Sequence, residues 1–253
     1  MDTSLKVFSR RPYHRTLLGE IKRALWIVRK KRRVRRTDRR VKSLYEDLYT
    51  LTNKEWEQKA QAGRHEFVLG QELLTVNELW ISEYYAQLVS LWIRILGGQK
   101  VLEVGSGRGS ILFELLGQNP VLELTGLELS AQGILRSTEK QKEIGSSITF
   151  IEGDARTLPF PDSSFDIAVT VHVLESMPRD YEKAVAEMAR VAEYAIFIEE
   201  FREAQSIADL AWLRFKDRFR DSYKLPHVEP LYFTKDIPHK EKYSMGLCVG
   251  KFK

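Results

Sequence analysis

Three glycines at alternate positions directly behind a short apolar run, in Val101-Leu-Glu-Val-Gly-Ser-Gly-Arg-Gly-Ser110, limit what this chain can fold into more than any other stretch. Val101 to Val104 read as a buried strand. Gly105, Gly107 and Gly109 let the turn behind it bring bare backbone close to a ligand before a helix begins near Ser110. The N–H groups at such a helix start favour an anionic group. In the dinucleotide-binding fingerprint the third glycine stands five positions after the first. Here that position is Ser110 and the glycine comes one residue earlier, at Gly109, which argues against NAD. Glu103 lies two residues before the first glycine, at the strand's C-terminal end, where a carboxylate can meet a cationic amine and neighbouring backbone N–H groups.

Further segments repeat the strand-then-helix pattern. Val121-Leu-Glu-Leu-Thr-Gly-Leu-Glu-Leu-Ser130 reads as a strand ending in Glu128, 23 residues after Gly105, with Ser130 as a helix N-cap. Ile148-Thr-Phe-Ile-Glu-Gly-Asp-Ala-Arg-Thr-Leu-Pro-Phe160 runs a strand into Gly153-Asp154-Ala155, after which Pro159 and Pro161 break the chain into a loop. Ser164-Phe-Asp-Ile-Ala-Val-Thr-Val-His-Val-Leu-Glu175 and Glu187-Met-Ala-Arg-Val-Ala follow in order. Successive strand ends of an open parallel sheet share one crevice, which would bring Glu103, Glu128 and Asp154 together.

In these motifs and their order, residues 99 to 201 resemble the class I S-adenosylmethionine-dependent methyltransferases, whose first motif is E-x-G-x-G-x-G. The resemblance implies an α/β fold: a Rossmann-like, seven-stranded, mostly parallel sheet with helices on both faces, an antiparallel C-terminal strand pair and a helical N-terminal extension. It implies S-adenosyl-L-methionine as cofactor. Glu103 would face the cofactor's amine, Glu128 the ribose hydroxyls and Asp154 the adenine amino group. Gly105, Ser106, Gly107, Gly109, Leu129, Gly153, Ala155 and Thr170 would complete the cofactor site. Two strands near Val228 to Thr234 and Ser244 to Phe252 would form the C-terminal pair. The Pro-Gly turn common in the family before the fifth strand is replaced by Val191-Ala-Glu-Tyr194, a departure at the sheet's edge that leaves the cofactor motifs intact.

With 253 residues and 43% hydrophobic content the chain can bury one sizeable core, so a single α/β domain over residues 99–253 with a preceding extension fits better than two equal domains. One cysteine, Cys248, excludes an intramolecular disulfide. No apolar run reaches the ~18 residues of a spanning helix, and the N-terminus lacks a signal peptide's apolar stretch. The expectation is a cytoplasmic protein. No metal-ligand spacing is present.

Charge is concentrated in residues 1–42, which hold 16 Lys or Arg against 3 Asp or Glu and are net +13, while the rest of the chain is net −8. Within this arm Leu17, Leu18, Ile21, Leu25 and Val28 recur at helical spacing ahead of Arg29-Lys-Lys-Arg-Arg33. Three readings stand open for this basic amphipathic arm: a helix packed on the domain, an interfacial helix on anionic lipid at the inner membrane surface, and an arm on RNA phosphates. Residues 43–98 read as a helical cap, with helices over Val41 to Gln61 and Gln71 to Leu96 and a loop at Phe67 to Gly70. The family resemblance implies that helices before the first motif cover the cofactor and shape the acceptor pocket, which makes Trp80, Tyr84 and Tyr85 candidates there. A further helix is expected from about Glu203 to Arg218.

An electrophilic sulfonium methyl needs placement more than acid-base help. For a hydroxyl acceptor His172, the sole histidine of the motif region, is the candidate catalytic base, with Glu175 and Glu200 as alternatives. No Asn- or Asp-Pro-Pro-Tyr follows the fourth strand, which disfavours transfer to an exocyclic base amine. The sequence therefore points to methyl transfer onto oxygen or nitrogen of a small-molecule, glycan or lipid acceptor. An RNA methyltransferase using the basic arm, and a cofactor-binding module without turnover, are the alternatives.

Overall fold

The computed structural model describes residues 7–12, 38–69, 72–177, 180–199, 225, 227–238 and 244–253. The first described elements are strand β1 (Val7–Pro12), helices α1 (Asp38–Leu48) and α2 (Asn53–Ala62), a hairpin of β2 (His65–Leu69) and β3 (Glu72–Val76), and the long helix α3 (Glu78–Leu96). Strand and helix then alternate through β4 (Lys100–Val104), α4 (Ser110–Gln118), β5 (Glu123–Glu128), α5 (Ala131–Ile144), β6 (Thr149–Glu152) and β7 (Phe165–Val171). A 3-10 turn at Leu174–Ser176, α6 (Tyr181–Val191), β8 (Ala192–Glu199), β9 (Val228–Pro238) and β10 (Ser244–Phe252) complete the set.

Seven strands form one sheet in the order β6-β5-β4-β7-β8-β10-β9. β4, β5, β6, β7 and β8 are parallel, and β10 runs antiparallel to both of its neighbours. This is the mostly parallel sheet with an antiparallel C-terminal pair that the motifs imply. The chain leaves β4 toward β5 and β6 and then returns to β7 on the other side. The helices after β4 and β7 therefore diverge, and a crevice opens outside the carboxyl ends of those two strands.

The central strands read as unbroken apolar runs because both of their faces are covered. Val101, Leu124, Ile167, Val169 and Ile196 pack against Tyr85, Val89 and Ile93 of α3 and Ile111, Leu112 and Leu115 of α4. Leu102, Val104, Leu127, Ala168 and Phe197 point the other way, toward Tyr181, Val185 and Met188 of α6. Helix ends follow local chemistry: the Asn77 side chain accepts from Trp80 N–H at 2.9 Å, and Ser130 Oγ accepts from Gly133 N–H at 3.1 Å. Among the described residues no helix is long and apolar enough to cross a membrane.

The segment before β4 differs from its sequence reading. The single helix expected over Val41 to Gln61 is two helices, because Thr52 and Glu55 form a reciprocal capping box that starts α2 afresh. Residues 67–69 of the expected loop and Glu72–Val76 of the expected helix are instead in the antiparallel strands β2 and β3. The spacing of Leu73, Val76, Leu79 and Trp80 suits a helix, but β3 pairs on both edges, with β1 and β2, and those ladders outweigh local periodicity. Val7–Pro12, part of the basic arm, is thereby a strand of a three-stranded sheet. The amphipathic stretch Leu17 to Val28, the basic run after it and the helix expected from Glu203 to Arg218 lie outside the described residues.

Candidate active site

The turn behind β4 uses its glycines for conformation and for space. Gly105 and Gly107 have φ of 78° and 57°, where a side chain is strained. A Cβ on Gly105 would lie 2.4 Å from Val173 Cγ2, and one on Gly107 would lie 2.7 Å from the Tyr49 hydroxyl. The N–H groups of Gly105 and Ser106 both donate to Leu127 O, at 2.7 and 3.0 Å, which ties the turn to β5.

Glu128 closes β5 at the same level. One of its carboxylate oxygens accepts from Gly107 N–H and the other from Ser130 N–H, each at 2.9 Å, so it joins the glycine turn to the start of α5. Burial pushes its pKa up, against the opposing pull of the Ser130, Gly107 and Leu129 N–H groups. Glu103, 3% exposed, is held well above the usual carboxylate range by burial and by the neighbouring Glu128. Glu103 Oε2, Ser106 Oγ and Thr170 Oγ1 are buried without a hydrogen-bond partner. Such orphaned atoms are rare in a settled core and fit a site built to receive polar groups.

Asp154 follows β6. Arg156 clamps it, with Nε at 3.0 and 3.1 Å from the two carboxylate oxygens and Nη2 at 2.6 Å. This pairing draws the Asp154 pKa down. Arg156 also reaches Asp180 at 3.5 Å. On the far side, His172 has φ of 60°, its N–H donates to Ile198 O at 3.0 Å, and its ring lies edge-on to Tyr85 with centroids 5.9 Å apart.

These elements surround a cavity of about 250 Å³. Of the residues singled out from sequence, Gly105, Glu128, Leu129, Gly153, Asp154, Ala155 and His172 line it. Glu103, Ser106, Gly107, Gly109 and Thr170 do not; they form the turn and strand ends around it. Trp80 and Tyr84 stack on each other at 5.6 Å and, like Tyr85, are not among the lining residues; Tyr85 packs against His172, which is. Sequence reasoning missed Tyr45 and Tyr49, brought in by α1, together with Arg156, Ser176 and Met177. The last three directly follow motif residues, and that proximity is a usable signal. Nothing local marks the two tyrosines.

A methyltransferase domain family matches residues 102–194, the stretch from β4 into β8 that carries every residue lining the cavity except Tyr45 and Tyr49. The chain thus contains a methyltransferase domain, and its motifs resemble those of the class I S-adenosylmethionine-dependent methyltransferase superfamily. Its methyltransferase domain is 33% identical over 93 residues to a demethylmenaquinone methyltransferase of Thermus thermophilus, covering 37% of this chain and 42% of that protein. It is 36% identical over 94 residues to a fatty-acid O-methyltransferase of Mycolicibacterium smegmatis, covering 37% and 33%. The chain thus spans less than half the length of these relatives. Among solved structures, its fold is similar to magnesium protoporphyrin IX methyltransferase from Synechocystis with bound S-adenosylhomocysteine, at TM-score 0.54 and 15% identity over 68% of this chain and 85% of that one. S-adenosylmethionine is the cofactor of the superfamily, and the methyltransferase domain fits it: backbone approach at the glycines, buried carboxylates at two strand ends, and orphaned polar atoms beside them.

Proposed function

We propose that this protein transfers the methyl group of S-adenosylmethionine to oxygen or nitrogen of an apolar small-molecule or lipid acceptor, with His172 as the base. The observation that carries this reading is the polarity of the cavity, with Glu128 and Asp154 toward one side and Val171, His172, Val173 and Met177 toward the other. A zwitterionic nucleoside suits the first side and an apolar acceptor the second. The names of the relatives, a quinone and a fatty-acid methyltransferase, support that acceptor class.

When bound, the cofactor supplies an electrophilic methyl on its sulfonium, so the protein's task is alignment and water exclusion. Glu128 is held by an N–H on each oxygen and keeps lone pairs for two ribose hydroxyls. Glu103 Oε2, buried and without a partner, would accept from the amine, and Asp154, held ionised by Arg156, would accept from the adenine amino group. The His172 main chain is held by its N–H on Ile198 O and its ring packs edge-on against Tyr85, and from there the imidazole would take a proton from the acceptor.

Calorimetry should find binding of S-adenosylmethionine and S-adenosylhomocysteine and none of NAD; NAD binding alone would overturn the reading. His172→Ala should lower the turnover rate about 100-fold while leaving cofactor affinity nearly intact. Full activity in that variant would assign the reaction to alignment alone and remove the base.

A further inference from the structure

Arg108, the residue between the second and third glycines of the turn, does not face outward as a spacer. It is buried to 7% exposure, and no carboxylate among the described residues lies within ion-pairing distance of it. Its guanidinium sits between two rings of the α1–α2 segment, 5.6 Å from the centroid of Tyr49 and 5.7 Å from that of Trp56. Nη1 donates to Asn53 Oδ1 at 3.1 Å and Nη2 to Leu51 O at 2.7 Å, so the planar fork is anchored on the link between the two helices. Burial pulls its pKa down, the signature of a cation removed from water for the sake of these contacts.

The ring held by this clamp lies over the ribose side of the proposed cofactor site. Tyr49 lines the cavity, and its hydroxyl lies 2.7 Å from where a Gly107 Cβ would stand. A Cβ on Gly133 would touch both Glu128 Cγ, at 2.8 Å, and the Tyr49 ring, at 3.2 Å, so ring and carboxylate flank one spot. Burial and the nearby Glu128 charge raise the pKa of the Tyr49 phenol far above its ordinary value, which keeps it a neutral O–H donor at every physiological pH.

We propose that Tyr49 is a cofactor-binding residue that closes the site beside Glu128, and that Arg108, clasped by Tyr49 and Trp56, is the positioning residue that fastens the α1–α2 lid to the glycine turn. The inference rests on the cofactor reading above. The ligand it concerns is a nucleoside whose ribose reaches Glu128. The clamp fastens the lid to the glycine turn, beside the ties that hold the lid to α5, so its strength contributes to the residence time of that nucleoside.

The test uses the full chain and S-adenosylhomocysteine, with calorimetry for affinity, stopped-flow tryptophan fluorescence for dissociation, and urea unfolding to confirm that each variant is folded. Arg108→Met keeps the bulk and loses both the cation–π contacts and the fork; Arg108→Lys keeps the charge. Arg108→Met should weaken affinity about 10-fold, chiefly through faster dissociation, with Arg108→Lys in between. The fluorescence change on binding should be lost in Trp56→Phe. Tyr49→Phe, which removes only the hydroxyl donor and leaves the ring in the clamp, should weaken affinity about 3- to 10-fold, the loss of one hydrogen bond. Arg108→Met with wild-type affinity and dissociation rate, in a folded protein, overturns the clamp, and Tyr49→Ala with wild-type affinity overturns the lid. If the wild-type chain fails to bind S-adenosylhomocysteine, the underlying cofactor reading falls, and that outcome is distinct from either of these.

Discussion

The glycine turn behind β4 and the α1–α2 hairpin meet at one cavity and are held there in opposite ways. The turn is fixed by its own backbone: two N–H groups on Leu127 O, one on Glu128, and left-handed dihedrals that leave no room for a side chain. The hairpin is fixed by side chains reaching across from distant segments. Glu46 accepts from the Ala131 and Gln132 N–H groups, Arg136 donates to Tyr49 O and Thr50 O, Asn53 donates to Arg136 O, and Lys140 pairs with Glu57. A device made of backbone geometry fails at a single substitution. One made of several separate ties loses a fraction with each, which suits a part that must open.

The sharpest way to break this comparison is Gly105→Ala. The residue would have to hold φ near 78°, and its methyl would meet Val173 Cγ2 at 2.4 Å. Left-handed strain and overpacking together predict a loss of about 2–4 kcal/mol in urea unfolding, with cofactor binding abolished. A loss under about 1 kcal/mol would mean that the turn yields as readily as the hairpin.

Glu103→Gln separates stability from function within the turn itself. A carboxyl whose folded pKa lies above its unfolded value binds protons more tightly when folded, so it lowers stability as pH rises from the unfolded value through the folded one, and the full penalty stands above that window. Removing the charge should therefore make the free protein more stable at neutral pH, with the gain disappearing in acid. It should also weaken S-adenosylmethionine about 10- to 100-fold, through loss of a charge-assisted contact to the amine. Thermal unfolding across pH, paired with calorimetry, reads both. Destabilisation at neutral pH would show that contacts of the Glu103 carboxylate outweigh its burial and the repulsion from Glu128.

The same contrast explains what could be read from the chain. The strand ends at Val104 and Glu128, the cap at Ser130 and the parallel order were legible because each is written in a few consecutive residues: an apolar run, a glycine, a capping hydroxyl. Tyr49 and Arg108 were not legible as partners, since their contact depends on a helix break at Thr52 and on where α1 comes to rest, 59 residues upstream of Arg108 in the case of Tyr49. The β2–β3 hairpin was misread for a related reason. Its partner strand β1 lies more than fifty residues earlier, and no window of helical or strand periodicity contains it. His172 was legible as a residue after a strand, whereas its left-handed φ and its contact with Tyr85 belong to the packing of α3.

The smallest effect tests the distributed character of the hairpin's attachment. Glu46 accepts from two N–H groups in the first turn of α5, both at 3.1 Å, where an anion also meets the positive end of the helix. Burial acts to raise its pKa, but the Gln132, Ser130 and Ala131 hydrogen bonds and Lys42 outweigh that and hold it below the ordinary Glu value. The sign follows directly: the contribution is complete above the unfolded pKa and is lost as pH falls through the lowered folded one. Glu46→Ala should thus cost about 0.5–1 kcal/mol at neutral pH, as for other helix-start anions, and nothing once wild-type Glu46 is itself protonated. Urea unfolding of both proteins at neutral and strongly acidic pH measures the difference. A loss above about 2 kcal/mol would reveal one dominant tie where the geometry has several, and a loss independent of pH would show that the carboxylate's charge plays no part in holding the lid.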